Sequence, residues 1–332
     1  MKHSWFLIVV LTLGLGMSSC EVEFSPNAEW KEIPVVYCVL DQDDSLSWVR
    51  VERCYLSEGD VREDGMVTDS VNYPQGSIQV SIIAFDNGRQ VDSIPFNYTT
   101  VDHVEGAFVS QGQPAYCAVT KKRLRDAYTY ELRVRRADGS MLAKATTSLV
   151  TKDPYQQFII RPSSSIPFGF SVSRNCKIEW YSMGNGRYYQ PMVRFYYTYK
   201  YLGGDTLSLD FLCSPKLCTP PYANTYYIQY SCEAFLAGLH AAFDGDTNTK
   251  TYPMLFDIYL NACNEDLYAY LSSVEANGGL GQSDAVYTNI EGGLGVFAAR
   301  RTHVYRRVPG DASDVPGYGL HALLKDSIPG FI

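Results

Sequence analysis

The sequence predicts a mainly β protein in two parts, a β-sandwich followed by a second β-rich domain that carries two short helices. Three observations predict it. Apolar and polar residues alternate with period two in several short runs. Turn-forming pairs, Asn87-Gly88 and Asp138-Gly139, stand between such runs. Tyrosine, which favours strands, occurs 26 times in 332 residues.

The chain opens on a targeting segment. Lys2 and His3 precede an apolar run from Trp5 to Met17. That run is shorter than the ~20 residues a membrane-spanning helix needs, and it reads as the apolar region of a secretory signal. It ends in Ser18-Ser19-Cys20. An apolar residue, two small residues and a cysteine resemble the lipobox of bacterial lipoproteins, in which the peptide is cut before a cysteine whose sulfur takes a diacylglyceryl group. Residues 1–19 are therefore expected to be a signal peptide, Cys20 the lipid attachment site and residues 20–30 a tether. A lipid anchor is the expected link to the membrane, since no later stretch is long and apolar enough to cross one as a helix.

Residues 31–152 hold the expected sandwich. "SWVRVERCYL" reads as a strand, and "SIQVSIIAFDNGRQV" as a hairpin around Asn87-Gly88. In "AYTYELRV" Tyr128, Tyr130, Leu132 and Val134 share one face, and Asp138-Gly139 turns the chain into "MLAKATTSLV". Leu124 followed by these tyrosines resembles the corner of immunoglobulin-like domains at which a tyrosine bonds back to the backbone, so the sandwich is expected to be immunoglobulin-like. Asp153-Pro154 marks the boundary, and residues 153–332 form the second domain.

That domain contains the aromatic run "RYYQPMVRFYYTYKYL". Its odd positions, Tyr189 to Tyr201, form one apolar strand face that includes Pro191, a residue suited to an edge or bulge. One helix is expected after Ser231, with Phe235, Leu236, Leu239 and Phe243 inward and Gly245 near its end. A second starts at Asn264, carries Glu265 and Asp266 in its first turn, buries Leu267, Leu271 and Val274, and stops at Gly278. "GGLG" occurs twice, at Gly278–Gly281 and Gly292–Gly295. The first is a helix exit. The second precedes "VFAARRTHVYRRV", which alternates like a strand, so it is read as a backbone bend; a phosphate cradle needs a helix there.

Composition bounds the function. With 46% hydrophobic and 19% charged residues the chain is globular, and a formal charge of −8 argues against a general nucleic-acid binder. No nucleophile or zinc-protease signature is present, and His103, His240, His303 and His321 are scattered singly. "DGDTNT" places Asp244, Asp246 and Asn248 at the spacing of half a calcium loop, but Thr249 stands where glycine is needed and Leu255 where a bidentate glutamate is needed. No catalytic residue, metal or cofactor is assigned. The acidic run Asp41–Asp44 reads as a solvated turn, and Arg300, Arg301, Arg306 and Arg307 as a solvated edge strand, the alternative being a basic cluster that meets lipid phosphates or an acidic partner. Eight cysteines besides Cys20 leave pairing open; the local bridge the spacing favours joins Cys213 to Cys218 in "CSPKLC".

"IPVVYCVLDQDDSLSWVRVERCYL", "AYTYELRV" and above all "NIEGGLGVF" resemble a group of exported Bacteroidetes lipoproteins that share domain of unknown function 4249. The resemblance spans nearly the whole mature chain. It implies an outer-membrane lipoprotein on the cell surface or periplasmic face, a non-enzymatic binding or accessory component working with a TonB-dependent receptor; it assigns no catalytic residue. A surface adhesin or structural protein is the first alternative, and a hydrolase, which would need polar residues converging in a deep pocket, the second. The phylum glycosylates exported proteins at Asp, then Ser or Thr, then an aliphatic residue. Five such triplets make Ser45, Ser70, Ser93, Thr206 and Ser327 candidate O-glycosylation sites.

Overall fold

The computed structural model describes residues 32–54, 71–101, 113–151, 176–200, 205–218, 225–252, 255–277, 286–309 and 320–332. In the first half the strands are β1 (Pro34–Asp41), β2 (Leu46–Arg53), β3 (Ile78–Asp86), β4 (Arg89–Val101), β5 (Gln113–Val119), β6 (Thr129–Arg136) and β7 (Met141–Ser148). Then come β8 (Cys176–Tyr181), β9 (Tyr188–Tyr199), β10 (Leu207–Leu212), β11 (Lys216–Leu217), β12 (Thr225–Tyr230) and helix α1 (Cys232–Ala242). The chain closes with β13 (Lys250–Thr251), β14 (Leu255–Cys263), α2 (Glu265–Asn277), β15 (Leu294–Pro309) and α3 (Leu320–Ser327). Thirteen strands form one mixed sheet, ordered β10-β9-β14-β15-β1-β2-β5-β4-β3-β6-β7, with β11 and β13 also on β9. β8 and β12 pair separately. The mainly β class holds.

The alternation read from the sequence becomes the buried faces. Tyr130, Leu132 and Val134 of β6 point into a first core with Val36, Leu40, Val49, Val80 and Ile82. Asn87 and Gly88 turn β3 into β4 with positive φ values of 47° and 80°. β4 then changes partner midway: Arg89–Phe96 pairs with β3, and Asn97–Val101 with β5. The Tyr130 hydroxyl accepts the Arg125 N–H (2.6 Å) and donates to the Arg125 carbonyl (3.1 Å), and Leu124 beside it is buried.

The odd positions of β9 are likewise inward: Tyr189, Val193, Phe195 and Tyr197 are buried, with Trp180, Phe235, Leu239, Phe256 and Phe331 around them in a second core. Pro191 sits inside the sheet. Its missing N–H faces the break between β10 and β11, where Cys213 bonds the Pro191 carbonyl instead (2.9 Å). Ser231 caps α1 by accepting the Ala234 N–H (2.9 Å), and α1 buries Phe235 and Leu239 as expected.

Several expectations are corrected. α2 does not bury Leu271 and Val274, which are 48% and 44% exposed. The helix docks through polar and aromatic side chains instead: Asp266 to Thr147 and Tyr287, Tyr270 edge-on to Tyr37, and Tyr268 stacked on Tyr188. Asn264 fixes that rotation, because its Oδ1 accepts both the Leu267 N–H of α2 and the Ala299 N–H of β15. A third helix, α3, buries Leu320, Leu323 and Leu324; their i, i+3, i+4 spacing was a legible signal. β15 is no edge strand. It pairs in parallel with β1 through Leu294–Arg300 and antiparallel with β14 from Arg300 to Pro309. Ile290, Phe297 and Ala299 consequently pack in the first core, although they follow the second core's strands in sequence. Cys213 and Cys218, the pair the spacing favours for a bridge, are both buried and stand as thiols in this structure, which leaves the bridge a proposal. The boundary at Asp153-Pro154 and the helix exit at Gly278–Gly281 lie outside the described residues.

Candidate functional site

At the crossing of β15 between its two partners stand Arg300 and Arg301. Arg301 is only 3% exposed. Its guanidinium donates to Gln42 Oε1 (3.0 Å), Asp126 Oδ1 (3.2 Å) and the Val150 carbonyl (3.1 Å), and pairs with Asp43 at 3.1 Å. Arg300 pairs with Asp41 and Asp44, each at 3.4 Å. The acidic turn and the basic pair, read separately as solvated, are each other's partners across more than half the chain. Asp41 is itself buried; burial pushes its carboxyl above the usual range, against the pull of the Asp43 backbone N–H and Arg300. Arg306 adds a contact to the buried Asp257 at 3.3 Å.

Beside this junction lies an apolar block. β2 and β5 place Leu46 opposite Val119 and Trp48 opposite Cys117. Alternation turns Ser47 and Val49 inward and sends these four side chains outward. Leu46, Trp48 and Val119 are 40%, 45% and 65% exposed. The turn after β5 is anchored by the Thr120 and Lys121 N–H groups on the Ser45 carbonyl (3.0 and 3.3 Å), and by the Ser47–Thr120 hydroxyl pair (2.9 Å). It carries the exposed Lys121 and Lys122. Arg123 is held back by a two-point contact with Asp92 (2.6 and 2.9 Å), which keeps that carboxyl below its usual range. Clustered exposed aromatic and aliphatic side chains with a cationic rim are the make-up of a binding surface. Sequence reading did not single this block out, although Leu46 and Trp48 are apolar in the phase that should face water.

The second "GGLG" is built into the scaffold. Gly295 has φ +104° and pairs with Val36, and a Cβ there would lie 2.1 Å from the Val36 carbonyl oxygen. A Cβ on Gly293 would lie 2.5 Å from the Pro34 carbonyl oxygen. Asn289 completes the bend by accepting the Phe297 N–H (2.9 Å) and donating to the Phe297 carbonyl (2.8 Å). No helix follows, so the stretch is a bend into β15.

Among the described residues no group of three or more His, Cys, Asp or Glu is placed to hold a metal. His240, His303 and His321 stand on three different elements, α1, β15 and α3, while His103 lies outside the described residues. Burial pushes the thiols of Cys213 and Cys263 up to about 12 and that of Cys218 to about 11, which keeps them protonated and poorly nucleophilic. Of the glycosylation triplets, Ser45, Ser93 and Thr206 are exposed and Ser327 is half-buried at the end of α3. Cys20 and Ser70 lie outside the described residues.

The model of one protein family, Domain of unknown function (DUF4249), matches residues 21–306. The chain belongs to that family. No curated protein matches it. Among solved structures, a cytokine receptor complex aligns over 82% of this chain and 96% of its own, at 9% identity and a TM-score of 0.22. That likeness is too slight to bear on the DUF4249 fold. The "NIEGGLGVF" stretch lies inside the matched residues, so in this member of the family it is β-scaffold.

Proposed function

We propose that this DUF4249 protein is a Bacteroidetes outer-membrane lipoprotein, anchored through Cys20, that serves as a non-enzymatic binding component beside a TonB-dependent receptor. The observation that carries the binding role is the exposed Leu46–Trp48–Val119 block, an apolar surface on the paired strands β2 and β5 with Lys121 and Lys122 on the turn that follows. The anchor reading is supported by the Ser18-Ser19-Cys20 sequence. We read the first core as immunoglobulin-like, supported by the corner bonds of Tyr130 and by β4 exchanging β3 for β5 as its partner midway. On this reading two domains meet near residue 152, and the second lends the front of β15 to the first. The Cys213–Cys218 bridge stays a proposal for the oxidising exterior of the cell.

Cys20→Ala is expected to abolish lipid labelling and to release the protein from membranes. Intact mass of the natively produced protein is the second readout. The mature chain should gain one lipid at Cys20 and O-glycans at exposed Ser45, Ser93 or Thr206. Continued labelling of the alanine variant, or a bare polypeptide mass, contradicts the reading.

A further inference from the structure

The "DGDTNT" loop has the spacing of half a calcium loop, and the next residue in the chain is the one that fills it. Lys250 is fully buried. Its Nζ donates to the carbonyl oxygens of Asp246 (3.0 Å), Asn248 (3.0 Å) and Pro329 (3.4 Å), and lies 3.1 Å from Asp246 Oδ2. The rings of Phe243 and Tyr199 flank it, with centroids 4.9 and 5.6 Å away. Four oxygens and two aromatic rings around one nitrogen are the surroundings of a bound cation.

Most of the cage is held by bonds other than those of the ammonium. The Tyr199 hydroxyl donates to Asp246 Oδ2 (2.5 Å), and the Asn248 backbone and side-chain N–H groups donate to Asp246 Oδ1 (3.0 and 2.7 Å). These bonds hold the Asp246 carboxyl well below the usual range, so it is an anion at neutral pH. The far wall is the end of the chain. Lys250 N–H donates to the Gly330 carbonyl (2.7 Å), Ile332 N–H donates to the Lys250 carbonyl (3.2 Å), and Phe331 sits in the second core against Phe195 and Phe243. Gly330, at φ +86°, passes so close to the loop that a Cβ would lie 2.2 Å from the Asn248 carbonyl oxygen.

We propose that residues Asp244–Lys250 and the turn at Pro329 form a cation-binding site for a primary ammonium group, that the ammonium of Lys250 is its resident occupant, and that this internal cation clasps the chain's last residues onto the sheet. It does the work that a metal ion does in a calcium loop, with the cation supplied covalently. The missing glycine and glutamate at Thr249 and Leu255 then follow, because a singly charged ammonium with three N–H donors needs neither the tighter turn nor a bidentate carboxylate.

The test uses the full mature chain. Lys250→Met keeps an apolar stem of similar length and removes only the charge and donors. It should melt lower, and carboxypeptidase should trim the C-terminus at least ~10-fold faster, because local opening of the tail loses bonds to a charged donor. Lys250→Ala removes the equivalent of n-propylammonium. Added n-propylammonium chloride should restore part of the melting temperature and tail protection, and sodium chloride at the same ionic strength should not. A methionine variant that melts and resists trimming like the wild type overturns the proposal, as does equal rescue by sodium chloride. If neither variant folds, reductive methylation of the native wild-type chain decides. Lys250 should stay unmodified while Lys121 and Lys122 react, and methylation of Lys250 at their rate overturns the clasp.

Discussion

Arg301→Ala is expected to destabilise the protein by about 3 kcal/mol, a fall in melting temperature of roughly 5 °C for a chain of this size. The reason is where the side chain stands. Arg301 is the first residue of β15 beyond the β1 pairing, and its guanidinium reaches Gln42 and Asp43 of the β1–β2 turn, Asp126 before β6 and the Val150 carbonyl after β7. Removing it leaves the Val150 carbonyl without this donor and sets the carboxylates of Asp43 and Asp126 near each other without the shared cation. Both carboxylates keep some water contact, at 50% and 35% exposure, which holds the cost near the lower end for a broken buried pair. Arg301→Lys keeps the charge but lacks the planar fork, and should recover less than half of the loss. Chemical denaturation of the three proteins checks this. A loss under ~1 kcal/mol for the alanine variant would mean that the junction is held by the backbone pairing alone.

Gly295→Ala is the second large effect, expected at about 3 kcal/mol or more. Two costs add. An L side chain at φ +104° is strained, and its Cβ would lie 2.1, 2.8 and 2.9 Å from the O, C and N atoms of Val36. Those are backbone atoms of the neighbouring strand, so relief requires β15 to draw away from β1. Phe297, whose backbone is bonded by the Asn289 side chain, would move with it and open the first core. Melting temperature should fall, and partner association should fall only in proportion to unfolding. Unchanged melting with lost association would make the glycine stretch a ligand site instead of a bend.

Much of this architecture is local and was legible. The Asn87-Gly88 hairpin, the inward Tyr130–Leu132–Val134 phase, the buried odd face of β9 and the Ser231-capped α1 each depend on residues a few positions apart. Periodicity and turn chemistry act on that scale. The parallel pairing of Val36 with Gly295 does not, and no period in either strand announces it. The same distance hid the ion pairs, because Asp43 and Arg301 each look solvated until β1 and β15 are side by side. α2 was misread for another reason. Leu267, Leu271 and Val274 form a proper apolar stripe, but Asn264, Asp266 and Tyr270 had specific partners on β7, β15 and β1, and those bonds set the helix rotation. The exposed Leu46–Trp48–Val119 block was not legible because the periodic signal of β2 lies in its core phase, Val49 and Val51, and Trp48 stands in the other.

The most direct measurement of the central claim is a pull-down from detergent-solubilised membranes of cells making the protein with its native anchor. A TonB-dependent receptor should co-purify with the wild type. Val119→Lys alters a side chain that is 65% exposed and should leave stability within about 0.5 kcal/mol, whereas Trp48→Ser also gives up the covered half of its ring and should cost about 1–2 kcal/mol; both should lose the receptor while still folded. Absence of any such receptor from the wild-type sample, or its full retention by both folded variants, would contradict the account.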